Sequence, residues 1–454
     1  MAGFAVEEIL NATGARWRSG PKKSVDGVSI DSRQVKANSL YVAIKGERFD
    51  GADFLREAVA AGATAILIHS ETFFEDPTID IYEVIDTQVA LGKLANWHRM
   101  RFCIPVIGVT GSAGKTSTKD VIAALLGTPQ EVLKTVGNFN NEIGVPLTLL
   151  GLNSSHHFAV IEMGMRGLGE IAYLAEIAQP QVGVITNVGD AHMERLGSRN
   201  QVAQAKSELI SALRGPESLA VLNFEDSFVL QMKDKAAGKV LTYGCALSAD
   251  VSGQVFQQDQ TGMQIRCFYG REEKELHLPF FGIHQMYNSL AAIGVARALG
   301  RTWEEIQAGF ESIEASPMRM EKSLIQGVFV LNDAYNANPQ AMDGALEVFF
   351  QVGQGKKVAL LGDMLELGDL AESCHLASLK FALDLEIDLI IVKGPEMNKA
   401  ASVLKSERIL ANLTDEEIAK KLSEVLQAGD SLFVKGSRGM RMENLLESWI
   451  ALSV

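Results

Sequence analysis

The chain has 454 residues, a formal net charge of −14 and four cysteines. At roughly 150 residues per domain, that length predicts about three domains, each able to bury its own core. The acidic balance opposes nucleic-acid binding and attachment to anionic membranes, and the wide spacing of Cys103, Cys245, Cys267 and Cys374 forms no CxxC metal or redox pattern, which suits a reducing cytoplasm.

The N-terminal stretch places Glu7 and Glu8 inside its first apolar run, and nowhere do about 18 apolar residues follow one another. A soluble, cytoplasmic protein without signal or membrane insertion is therefore expected. Short β-type runs at 39–44 and 63–68 flank a helical stretch from Phe54 to Ala61 that ends at Gly62, giving a small α/β domain over residues 1–103. A second unit, 104–315, opens with Ile104-Pro-Val-Ile-Gly-Val-Thr110, whose apolar run suits a strand buried on both faces of a parallel sheet. Further runs at 158–163 and 182–186 alternate with helical stretches, the pattern of a doubly wound sheet. Segment 251–280 reads as shorter, more polar strands, followed by helices at 285–299 and 303–313. A third unit, 316–454, repeats strand and helix from 328–331 through 357–361 and 389–392 to 431–434, a second Rossmann-like pattern. The fold class is α/β in three domains: a small N-terminal domain, a central P-loop domain and a C-terminal Rossmann-like domain.

Between strand 104–110 and a helix over 116–126 stands Gly108-Val-Thr-Gly-Ser-Ala-Gly-Lys-Thr-Ser-Thr118. Gly111 and Gly114 let the backbone bend so that successive N–H groups point inward, and the helix N-terminus adds its positive dipole end. Gly111, Ser112, Ala113, Gly114, Lys115, Thr116 and Ser117 thus form a nucleotide-binding loop, with Lys115 on the β- and γ-phosphates of ATP and the Thr116 hydroxyl on Mg²⁺. Val109 stands where the strict eight-residue pattern has glycine, so the loop is a shortened form. A motor, a kinase or a ligase could each own it.

Two charged residues break apolar patterns. Glu162 ends the run Phe158-Ala-Val-Ile-Glu-Met163, where a carboxylate is costly unless it meets a cation such as a metal ion. Lys206 shares a helix face with Val202, Leu209, Ile210 and Leu213, where a lysine either snorkels to water or has a special role.

The shortened loop Thr-Gly-x-x-Gly-Lys-Thr resembles that of the Mur ligases and their folylpolyglutamate synthetase relatives, and similar segments extend from about residue 28 to the C-terminus. The resemblance implies that Gly137-Asn-Phe-Asn-Asn-Glu-Ile-Gly-Val-Pro146 lies near the γ-phosphate and the substrate carboxylate, with Asn138 and Asn141 as contacts. It implies two Mg²⁺ ions, with Glu162 and His192 as ligands and Lys206 carbamylated, so that it presents a carboxylate. Asn288, in Phe281-Gly-Ile-His-Gln-Met-Tyr-Asn288, matches an adenine contact, although Gln285 stands where the family has asparagine. Arg319 and Asp333 match positions that reach the ATP phosphates and ribose when the third domain closes. Asn332-Asp-Ala-Tyr-Asn-Ala-Asn-Pro-Gln-Ala-Met342, Gly362-Asp-Met-Leu-Glu-Leu-Gly368 and Val434-Lys-Gly-Ser-Arg438 resemble the branch that adds D-alanyl-D-alanine, with Tyr335, Asn336 and Asn338 as substrate contacts. At the N-terminus, Ile30-Asp-Ser-Arg-Gln-Val35 resembles a uridine-nucleotide domain, with Ser32 and Arg33 as contacts.

The implied reaction activates the terminal carboxylate of UDP-MurNAc-tripeptide as an acyl phosphate, which the amine of D-alanyl-D-alanine attacks, in a monomeric enzyme. Lys115, Glu162, His192 and Lys206 are the expected catalytic set. The alternatives are a folylpolyglutamate-type ligase and a catalytically inactive, ATP-regulated binding protein.

Overall fold

The computed structural model describes residues 3–46, 49–189, 196–313 and 318–452. They divide into two compact units, one of residues 1–253, 267–274 and 287–312 and the other of 254–266, 275–286 and 313–454. Three sheets organise them.

The first sheet contains β1 (Arg16–Ser19), β2 (Gly27–Ser29), β3 (Ser39–Val42), β4 (Ala63–His69) and β5 (Asp80–Val84), in the order β1-β5-β4-β3-β2. Only the β1–β5 pair is antiparallel. The expected helix at 54–61 is a 3₁₀ turn, Gly51–Phe54, running into an α-helix, Leu55–Ala60.

The second sheet is built on β6 (Val106–Thr110), β7 (Val132–Lys134), β8 (Phe158–Glu162), β9 (Val182–Ile185), β10 (Leu219–Asn223) and β11 (Lys239–Gly244). These run parallel in the order β11-β10-β9-β6-β8-β7. β6 is buried along its length and begins two residues later than the apolar run, because Pro105 has no N–H for the ladder. Its neighbours β8 and β9 lie on opposite sides. The chain leaves β6 at the point where strand succession reverses, the place at which open α/β sheets bind ligands.

β12 (Val251–Asp259), β13 (Gly262–Tyr269) and β14 (Glu272–Leu278) extend this sheet beyond β11. The expectation of shorter strands there is wrong: they have 9, 8 and 7 residues, longer than any of β6 to β11. Their polar positions are the solvent side of strands buried on one face, with Met263, Ile265, Cys267, Leu276 and Leu278 inward.

The third sheet holds β15 (Glu321–Ile325), β16 (Val328–Asn332), β17 (Lys357–Gly362), β18 (Leu389–Lys393), β19 (Ile409–Leu410) and β20 (Ser431–Lys435), in the order β15-β16-β20-β17-β18-β19. All but β15 are parallel, and buried clusters cover both faces.

The helix Thr87–Arg99 joins the first two sheets by more than sequence. Asn96 Nδ2 donates to Ile177 O at 2.9 Å and Arg99 Nε to Ala178 O at 3.0 Å, while Ala90, Leu91, Leu94 and Ala95 enter the core that contains Val145, Leu149 and Ile171. A chain truncated to begin at residue 104 would expose that core, so it is expected to lose cooperative unfolding in a calorimetric scan rather than survive as a separate ATP-binding domain.

Candidate active site

The carboxyl end of β6 delivers the glycine loop, and two glycines make it possible. A Cβ on Gly111 would collide with the Thr186 hydroxyl, and Gly114 has φ 77° with Asn288 Oδ1 2.6 Å from where its Cβ would stand. The loop is clasped by the segment after β9. Ser112 N donates to Asn187 O at 3.0 Å, Ala113 N to Asn187 Oδ1 at 2.9 Å, and Asn187 Nδ2 returns a bond to Ala113 O at 3.1 Å. Thr186 Oγ1 donates to the same carbonyl at 2.6 Å, and Gly189 N to Ser112 Oγ at 2.8 Å. Asn223 Nδ2 and the Tyr243 hydroxyl in turn hold Thr186 O at 3.0 and 3.2 Å.

Since the Ser112 and Ala113 amides serve this clasp, the amides of the loop left to an anion are those of the helix start, Gly114 to Ser117. Intrahelical bonding in Lys115–Leu126 begins with Thr118 N, bonded to Gly114 O at 2.9 Å. Lys115 Nζ donates to Gly111 O at 2.8 Å, which keeps the ammonium within the loop. Asn288 lies behind it, with Oδ1 accepting from Thr118 Oγ1 at 3.1 Å.

Glu162 stands at the end of β8, 2% exposed. Its Oε1 accepts from Asn140 Nδ2 at 2.8 Å, and its Oε2 is buried with no hydrogen-bond partner among the described residues. Thr135 Oγ1 accepts from Glu162 N at 3.0 Å, and Thr135 O accepts from the buried Lys119 Nζ at 2.8 Å, tying the start of the asparagine-rich segment to the phosphate helix. Asn138 is exposed, and Asn141 Oδ1 accepts from Gly144 N at 2.9 Å, at the start of the short helix Gly144–Leu149.

Lys206 lies mid-way along the helix Arg199–Ala212, on its buried face and 1% exposed. Burial, followed by the nearby positive charge of Lys115, brings its pKa down to about 7. With that pKa about half of the Lys206 amine is neutral near pH 7. His192 lies outside the described residues. Among the described residues no three His, Cys, Asp or Glu side chains form a metal cluster.

In the first sheet's domain Ser32 is buried and Arg33 exposed. The Arg33 fork is turned onto Asp31, with Nε and Nη2 bonding the carboxylate oxygens at 2.9 and 2.8 Å, which pulls the Asp31 pKa down.

In the second compact unit the carboxyl ends of β16, β20 and β17 meet. Asp333 Oδ1 accepts from Met320 N at 3.0 Å, and its Oδ2 pairs with Lys435, itself 2% exposed and also donating to Asn336 O at 3.1 Å. Ser437 Oγ accepts from Leu365 N at 2.8 Å. Arg319 lies over the Tyr335 ring at 3.7 Å, a cation–π contact on an exposed aromatic. Asn338 Oδ1 caps the helix Pro339–Val352 through Ala341 N at 2.9 Å, and the Asn336 side chain accepts from Ala337 N at 2.9 Å.

Three family profiles match in chain order: "Mur ligase family, catalytic domain" at residues 24–99, "Mur ligase middle domain" at 109–296 and "Mur ligase, glutamate ligase domain" at 318–438. The chain belongs to the Mur ligase family. It is 36% identical over 434 residues to the UDP-N-acetylmuramoyl-tripeptide–D-alanyl-D-alanine ligase of Bacillus subtilis, covering 94% of this chain and 93% of that one. A crystal structure of MurF from Acinetobacter baumannii superposes with a TM-score of 0.90 at 30% identity, covering 99% of each chain. MurF from Thermotoga maritima in complex with ADP superposes with a TM-score of 0.82 at 31% identity, covering 94% of this chain and 97% of that one. The three-domain Mur ligase fold and nucleotide use follow from these likenesses.

Within this Mur ligase, sequence reasoning singles out Gly111 to Ser117, Glu162 and Lys206, which lie at the end of β6, at the end of β8 and on a buried helix face, and it does not single out Thr186, Asn187, Asn140 or Lys435, which bond to or beside them or to Asp333. Asn187 was within reach, since an asparagine directly after a buried strand is placed to brace a neighbouring loop. Asn187→Ala removes both side-chain bonds to Ala113, each worth about 1 kcal/mol. The variant is expected to raise the KM for ATP about tenfold with a smaller change in kcat, and an unchanged KM would show that the clasp does not hold the loop.

Proposed function

We propose that the chain joins D-alanyl-D-alanine to UDP-MurNAc-tripeptide with hydrolysis of ATP to ADP and phosphate, through an acyl phosphate, as a cytoplasmic monomer in peptidoglycan synthesis. The observation that carries this reading is the glycine loop at the sheet's switch point beside the orphaned Glu162 Oε2, in a chain related over nearly its full length to ligases of that name. No helix among the described residues is long and apolar enough to cross a membrane. The folylpolyglutamate alternative has the shared fold alone behind it, a Mycobacterium tuberculosis folylpolyglutamate synthase superposing with a TM-score of 0.61 at 16% identity.

A carboxylate is a poor acyl donor until one oxygen becomes a phosphate leaving group. The tripeptide carboxylate attacks the γ-phosphorus, the bond to the β–γ bridging oxygen breaks, and ADP departs. The amine of D-alanyl-D-alanine then attacks the acyl carbon and phosphate leaves, with the amine's surplus proton released. Lys115 and the N-terminus of its helix stabilise charge on the transferring phosphoryl group.

Mg²⁺ fits the residues present, because a buried carboxylate oxygen without a donor calls for a cation, and because this ion completes its shell with water, hydroxyl and phosphate oxygens rather than needing a cluster of side chains. Thr116 and Glu162 would hold one ion, and Glu162, His192 and Lys206 a second. The ions would supply positive charge to the phosphate oxygens. For Lys206 the narrower proposal is a carbamate: the neutral amine adds to CO₂, one proton is released, and the new carboxylate offsets the second ion.

Residues 1–103 are assigned to the UDP precursor through Ser32 and Arg33, residues 104–315 to ATP with Asn288 near adenine, and residues 316–454 to D-alanyl-D-alanine through Tyr335, Asn336 and Asn338. Arg319 and Asp333 are assigned to the nucleotide, and Asn138 and Asn141 to the tripeptide carboxylate. The test is incubation with ATP, Mg²⁺, UDP-MurNAc-tripeptide and D-alanyl-D-alanine, followed by mass analysis. The expected result is UDP-MurNAc-pentapeptide with one ADP per peptide bond. ADP release without pentapeptide would overturn the assignment.

A further inference from the structure

Asn140 occupies a place that neither the expected contacts nor the proposed chemistry uses. Its side-chain Nδ2 donates to Glu162 Oε1 at 2.8 Å, and its backbone O accepts from Gly164 N, two residues beyond Glu162, at 2.8 Å. The fit is close on the other side as well: a Cβ on Gly164 would stand 2.8 Å from Asn140 Oδ1 and 3.0 Å from its Cγ, so glycine there leaves room for the amide. The segment is anchored before Asn140 by Thr135, held by Lys119 Nζ, and after it by Asn141, whose Oδ1 accepts from Gly144 N at 2.9 Å. The position of the Asn140 amide is thus set by its neighbours and not by Glu162 alone.

The consequence concerns which oxygen of Glu162 is available. A carboxylate with both oxygens open can rotate or take a metal through either one. Here Oε1 is occupied by an amide donor, and Oε2 is buried with no partner among the described residues. An outer partner that fixes a ligating carboxylate typically accounts for a 10–100-fold share of metal affinity. We propose that Asn140 is a positioning residue that holds Glu162 by Oε1 and so presents Oε2 alone to a divalent cation bound with the nucleotide. This rests on the reading of Glu162 as a metal ligand.

The experiment measures Mn²⁺ affinity of the protein–ADP complex by electron paramagnetic resonance, ADP affinity without metal by calorimetry, and the Mg²⁺ dependence of kcat. Asn140→Ala and the near-isosteric Asn140→Leu are each expected to bind Mn²⁺ about tenfold more weakly, to bind metal-free ADP as the parent does, and to recover kcat when Mg²⁺ is raised. A loop that had merely come loose would not be repaired by Mg²⁺. Glu162→Gln separates the two readings. If it and both Asn140 variants bind Mn²⁺ normally, Glu162 is not a ligand and the underlying reading fails. If Glu162→Gln loses affinity while both folded Asn140 variants keep it, the positioning role alone is overturned. Asn140→Leu, which preserves side-chain volume and the backbone bond to Gly164, decides the matter should Asn140→Ala not fold.

Discussion

Lys115→Ala is expected to lower kcat by about a thousandfold or more while the protein keeps its fold. The ammonium sits in the loop at the start of a helix; in the proposed reaction it meets the charge that builds on the transferring phosphoryl group, and removing one such preorganised group costs about 10²–10³ in rate in comparable sites. The structural cost is small. Lys115 is part-buried and donates to Gly111 O, so its loss forfeits on the order of 1 kcal/mol, against a scaffold in which Asn187 and Thr186 brace the same loop independently. Single-turnover measurement of ADP formation, with circular dichroism to check the fold, decides it. Turnover within tenfold of the parent would remove the phosphate loop from the mechanism.

What could be read from the sequence was what the backbone or burial makes conspicuous. A Cβ on Gly111 or Gly114 would meet Thr186 or Asn288, and the spacing of the two glycines to Lys115 is legible in the sequence as a loop. Glu162 and Lys206 announced themselves as charges on apolar faces, and both are buried. Residue type alone could not sort the asparagines. Asn138, Asn140 and Asn141 lie in one run, yet Asn140 is the one that touches Glu162, while the Asn141 side chain accepts from Gly144 N just ahead of a short helix and Asn338 caps a helix in the other unit. Short polar side chains serve caps and sites equally well, and only the fold tells them apart. Arg33 illustrates the same limit, since its fork is turned onto the carboxylate two residues earlier. Lys435 is the opposite case. Its partner Asp333 lies about a hundred positions away in sequence, brought near by the parallel pairing of β16 with β20, a long-range register that periodicity does not encode.

Lys206 carries the second large expectation, and it joins stability to function. In the unfolded chain its amine holds a proton up to the ordinary lysine value of 10.5, whereas in the folded protein burial and the Lys115 charge bring this down to about 7. Between those values the unfolded chain binds more protons, so stability is complete above about 10.5, is lost progressively as pH falls toward 7, and loses no more below that. Lys206→Met removes the loss. It is expected to be more stable than the parent at pH 7, by on the order of 3 kcal/mol in urea unfolding, with the gain shrinking to nothing near pH 10 to 11. The same variant is expected to lose activity at least about a hundredfold, because a lysine kept at such a cost in the core is kept for its chemistry. In the parent, kcat/KM should fall below about pH 7 as the amine takes up its proton, the form that the proposed addition to CO₂ cannot use. Chemical rescue distinguishes the working form. If the proposed carbamate is the working form, acetate or propionate should restore part of the activity of Lys206→Ala by supplying a carboxylate, and ethylamine should not. Rescue by ethylamine alone, or full parental activity with ¹³CO₂ labelling showing an unmodified amine, would remove the carbamate and leave the neutral amine as the functional group.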